Sequence, residues 1–91
     1  MKTIPIDLGR VVRSKAGRDT GRLFAVIRVL DEEFVLVSDG KLRTLDRPKK
    51  KRKKHLKPTL TVVEPLERGE TIRDHELRQW IFKEEGKLVQ V

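Results

Sequence analysis

Apolar residues fall along this chain in short alternating runs, each closed by a polar or glycine-bearing break. That rhythm predicts strands first and a helix last. Residues 1–8, with Pro5 among them, show no regular pattern. The β-branched run from Gly9 to Ser14 predicts a short strand. Arg22 to Leu30 is the strongest strand: Leu23, Ala25, Ile27 and Val29 share one face, Phe24, Val26 and Leu30 the other, and only Arg28 interrupts. A strand apolar on both faces is central in its sheet. Asp31-Glu32-Glu33 reads as a hairpin loop and Phe34 to Ser38 as the next strand. Asp39-Gly40 is a two-residue hairpin signal, after which Lys41 to Leu45 alternates as an edge strand does. His55 to Val63 supplies Leu56, Leu60, Val62 and Val63 to a closing strand. Short strands at this spacing predict a mainly β fold, a small barrel.

Beyond residue 63 the period changes. Thr71 and Asp74 are both candidate N-caps, Leu77, Trp80 and Ile81 share one helical face, and Gly86 stands where a C-cap belongs. This predicts a helix over 74–85, with Phe82 off its apolar face. A hairpin of RQWIF and LVQV around KEEGK is the alternative. The chain thus divides into a barrel at 1–63 and a C-terminal extension at 64–91. The extension either covers a barrel edge with Leu77, Trp80 and Ile81 or contacts another protein through its helix, leaving Phe82 exposed.

Length and composition narrow the classes. At 91 residues a single domain is expected. The absence of Cys excludes disulfides, thiolate metal sites and a cysteine nucleophile. No apolar run is long enough to span a membrane. MKTIPIDLGR has no apolar core of a signal peptide, so a cytoplasmic location is expected.

Charge changes the picture more. The chain holds 22 Lys and Arg against 14 Asp and Glu, a formal net charge of +8. Residues 1–46 are net +2, residues 58–91 net −2, and residues 47–57 alone net +8. The excess is therefore one run, in which Lys49, Lys50, Lys51, Arg52, Lys53 and Lys54 stand consecutively, followed by His55 and Lys57. Like charges so dense repel one another unless an anion neutralises them, and a polyphosphate backbone matches the density. The run is expected to be disordered alone and ordered on RNA.

A second cationic element is the loop KAGRDTG at 15–21. Gly17 and Gly21 admit positive φ and a close approach of backbones. Lys15 and Arg18 flank Gly17, with Arg13 and Arg22 at the loop's base. A hairpin tip presenting cations and N–H groups suits phosphate oxygens. Base stacking is expected to be minor, since the only aromatics are Phe24, Phe34, Trp80 and Phe82 and the first two fall in apolar strand patterns.

No enzyme motif is complete. HELRQ at 75–79 lacks the second His of a zinc-protease helix, and Gly17 to Gly21 lacks the Gly-Lys-Ser/Thr of a P-loop. No catalytic residue, cofactor, metal or small-molecule substrate is expected.

The segment from Leu8 to Val37 resembles a KOW motif, with Gly9, Val11 or Val12, Gly17, Gly21, Val26 and Val29 as the matching residues. The longer stretch GRVVRSKAGRDTGRLFAVIRVLDEEFVLVSDG, followed by KHLKPT at 54–59, is similar to large-subunit ribosomal proteins of the fourteen-e type from archaea and eukaryotes, and to small bacterial RNA-binding proteins built on the same domain. The likeness covers residues 8–59. It implies an SH3-like barrel and ribosomal RNA binding. Joined with the helix read over 74–85 and the chemistry of the two cationic segments, this predicts a barrel with a C-terminal helix that binds ribosomal RNA of the large subunit through loop 13–22 and run 47–57, as a ribosomal or ribosome-associated protein. The alternative is a protein-interaction module of a transcription or translation factor.

Overall fold

Five strands form one antiparallel sheet in the order β4-β3-β2-β1-β5. They are β1 (Arg10–Ser14), β2 (Leu23–Val29), β3 (Phe34–Ser38), β4 (Lys49–Arg52) and β5 (Leu56–Val62), in a computed structural model that describes residues 3–89, with side chains through Gly86. The outermost strands, β4 and β5, are consecutive in sequence and joined by a 3-10 turn, Lys53–His55. That short link brings one edge of the curled sheet round to the other, as in a small SH3-like barrel. Two helices follow: α1 (Glu64–Glu67) and α2 (Asp74–Val89).

Strand alternation sorts the apolar residues onto two faces. Val12, Phe24, Val26, Val35, Val37 and Leu56 point into the barrel, and Ile6 packs against them. Val11, Leu23 and Ala25 point the other way and are covered by Val63, Leu66, Ile72, Leu77 and Ile81. The central β2 is therefore buried on both faces over its first half, as its composition predicts. The extension folds back over a sheet face rather than an edge, because β1 and β2 leave that face apolar. Trp80 packs half-buried beside this cluster, whereas Phe82 is 74% exposed.

Four expectations need correction. The basic run is not disordered: Lys49–Arg52 pairs in register with β3, Val35 opposite Lys51 and Val37 opposite Lys49. Lys41 to Leu45 is not an edge strand. The Asp39 carboxylate accepts the N–H groups of Lys41 and Arg43, both at 2.9 Å, and the Arg43 carbonyl accepts from Asp39 and Gly40, so the chain curls. Helix α2 does not stop at Gly86 but continues to Val89. A helical Gly costs only about 1 kcal/mol relative to Ala, which does not end a helix by itself. Neither Thr71 nor Asp74 is the N-cap. Asp74 is the first helical residue, Arg73 precedes it, and Glu76 accepts the Arg73 N–H at 3.0 Å. The short helix α1, with Pro65 in its first turn and Leu66 buried, is invisible to periodicity because four residues show too little of it.

The curled loop is fastened to α2 at both ends. Leu45 N–H donates to the Asp74 carboxylate at 2.8 Å, and the Arg78 guanidinium donates to the Gly40 carbonyl at 2.6 Å. Gly40 has φ +77°, and a Cβ there would collide with the Asp74 carbonyl.

Candidate nucleic-acid interface

The glycine loop between β1 and β2 is a tight finger. Gly17 and Gly21 have φ of +88° and +91°, the left-handed region that Gly enters without strain. Gly21 N–H donates to Ser14 O at 2.8 Å and Arg22 N–H to Asp19 O at 2.9 Å. The Thr20 hydroxyl closes the tip on Gly17 O at 2.6 Å. Lys15, Arg18 and Arg22 are exposed, and their charged groups have no partner among the described residues. Arg13, at the base, donates to Gly21 O at 2.8 Å.

The finger and the basic run meet. Lys15 N–H donates to the His55 carbonyl at 2.8 Å. Asp19 accepts from Lys49 Nζ at 2.8 Å through Oδ2, and from Lys51 Nζ at 3.0 Å and the Ser14 hydroxyl at 2.6 Å through Oδ1. Lys51 Nζ also donates to Ser14 Oγ at 3.1 Å and Ala16 O at 3.2 Å. Burial pushes the Asp19 carboxyl up, but the bonds from Lys49, Ser14 and Lys51 outweigh it and hold the group well below the usual carboxylate range.

Alternation along β4 divides the run. Lys49 and Lys51 face inward with Val37 and Val35 and are held by Asp19. Lys50 and Arg52 face outward and flank the Phe34 ring, with Lys50 Nζ 4.4 Å and the Arg52 guanidinium carbon 5.3 Å from its centroid. Arg52 also pairs with Glu33 at 3.4 Å. Beyond β4, Lys54 and Lys57 are exposed, and Lys53 and His55 are half-buried in the 3-10 turn. Arg13 on β1 stands opposite Lys57 on β5, so these two share a face.

Of the residues singled out from sequence, Lys15, Gly17, Arg18, Arg22, Lys50, Arg52, Lys54 and Lys57 are thus on the surface, and Lys53, His55 and Arg13 are partly so. Lys51 is inside, 8% exposed, and Lys49 is held beside it. The residue that sequence reading missed is Asp19, taken only as turn chemistry. Its one signal was an acid inside an otherwise cationic loop.

The chain is 39% identical over 64 residues to the large ribosomal subunit protein eL14 of Pyrobaculum arsenaticum, covering 70% of this chain and 61% of that protein. The chain resembles the eL14 proteins. The eL14 protein of Desulfurococcus amylolyticus is 39% identical over 54 residues, 59% of this chain and 56% of that protein. That of Staphylothermus marinus is 33% identical over 64 residues, 70% of this chain and 66% of that protein. The chain therefore matches a little under two thirds of the length of these eL14 relatives. No protein-family profile matches it.

Proposed function

We propose that this protein binds ribosomal RNA of the large subunit, as a ribosomal or ribosome-associated protein with a binding rather than a catalytic role. The observation that carries this reading is the latch at Asp19. It ties the finger to β4, and the Lys15 N–H bonds the His55 carbonyl in the turn that carries Lys53 and Lys54. Two cationic elements far apart in sequence are thereby joined on one barrel, which supports their acting together on RNA. Cations fixed on such a scaffold favour phosphates at matching spacing, as in a folded RNA, over a diffuse polyanion. The names of the eL14 relatives, large ribosomal subunit proteins, point to the same RNA.

The test is co-sedimentation of the full chain with large ribosomal subunits across a salt series. Lys15→Glu with Arg18→Glu should abolish it while the melting temperature stays unchanged. Co-sedimentation that survives this pair and resists salt would show that the protein docks on protein and not on RNA.

A further inference from the structure

Next to the finger's base lies a groove of about 1080 Å³ between the barrel, the curled loop after β3 and helix α2. Its exposed apolar walls are Leu42 and Phe82, 63% and 74% exposed, with the buried Leu23 and Ile81 at its floor. Its cationic rim is Arg13, Arg22, Lys41 and Arg78. Arg13 and Arg78 are held in place by the carbonyls of Gly21 and Gly40. Arg22 and Lys41 have no side-chain partner among the described residues. Two acids also line the groove. Asp39 is occupied by the N–H groups of Lys41 and Arg43, and Glu85 has no ion-pair partner among the described residues.

From this arrangement we infer that the groove takes one unpaired nucleotide, its base against Phe82 and Leu42 and its phosphates on Arg22 and Lys41. The inference rests on the RNA-binding reading and deepens it, since Arg13 and Arg22 belong to both surfaces. A planar base has a π-face for a phenyl ring, and its N–H groups suit the Glu85 carboxylate. A phosphate next to the base meets cations on the barrel wall. The exposed apolar part is two side chains, Leu42 and Phe82, and is rimmed by four cations, which matches a nucleotide better than an apolar peptide. Stacking, expected from sequence to be minor, has its platform here because Phe82 projects away from the core that Leu77 and Ile81 fill.

The experiment compares two RNA duplexes, one fully paired and one with a single bulged 2-aminopurine, each titrated with the full chain. The bulged duplex should bind about tenfold or more tightly, and its fluorescence should be quenched on binding. Phe82→Ala should erase both the preference and the quenching while leaving affinity for the paired duplex unchanged. Leu42→Ala should reduce both in part. Lys15→Glu with Arg18→Glu should weaken both duplexes equally. Equal affinity of the wild type for the two duplexes, or a preference that survives Phe82→Ala, overturns the nucleotide site and leaves RNA binding intact. Failure of the wild type to bind either duplex overturns both readings.

Discussion

Lys51 Nζ lies 3.0 Å from Asp19 Oδ1, with only 8% and 10% of the two side chains exposed. Around this pair, Ser14 Oγ and the Ala16 carbonyl complete the ammonium's bonding and Lys49 takes the second carboxylate oxygen. Taking ions out of water is costly, and such a pair persists only when its remaining donors and acceptors are matched. Its consequence is positional, because it joins the finger to β4.

Removing one partner leaves the other buried and charged. Asp19→Asn should therefore destabilise the protein by about 3–5 kcal/mol, measured as a lower urea midpoint. Adding Lys51→Met should recover much of that loss, because the stranded ammonium is gone.

Acid should weaken the same joint. The Asp19 pKa is held below its ordinary value of 3.8, so the folded protein binds this proton less readily than the unfolded chain. The resulting stabilisation is complete above about pH 5 and fades as the pH falls through 4 and below. Urea midpoints from pH 6 to pH 2 should show a decline that is shallower in Asp19→Asn.

The two faces of β4 and its continuation should respond differently to neutralisation. Lys54→Ala and Lys57→Ala should each make the slope of log affinity against log salt shallower by roughly 1, the change expected when one phosphate is no longer neutralised, with the melting temperature unchanged. Lys51→Ala should instead lower the melting temperature, since it removes the buried ammonium that bonds Asp19 Oδ1 and leaves a gap beneath β4. Filter binding to ribosomal RNA and a thermal melt separate the two effects.

At Gly40, positive φ and the Asp74 carbonyl both oppose a side chain. Gly40→Ala should cost about 1–2 kcal/mol from the left-handed backbone alone, and more from the displaced helix start. Amide exchange should then quicken in the first turn of α2 before it does in β2.

Leu77 is fully buried between α2 and the sheet. Leu77→Ala should cost about 2–5 kcal/mol in chemical denaturation. A near-neutral result would show that α2 is not part of the cooperative unit.

How much of this is legible in the sequence depends on the range of each interaction. The alternation in RLFAVIRVL, the Gly positions in KAGRDTG and the spacing of Leu77 and Ile81 express preferences of neighbouring residues. They determined β2, the finger and α2 from the sequence alone, along with the net charge of the basic run. Four decisions belonged to the tertiary structure. Pairing with β3 turned an unbroken row of cations into a strand with two opposed faces. Asp19 found Lys49 and Lys51 thirty and thirty-two positions away, which no local pattern encodes. Asp39 and Asp74 drew the alternating segment after Gly40 out of the sheet. The apolar outer face of β1 and β2 settled where α2 lies. Local preference selects an element because its cost is met within a few residues. The facing of a charge is settled by burial and by partners that only the folded chain brings within reach.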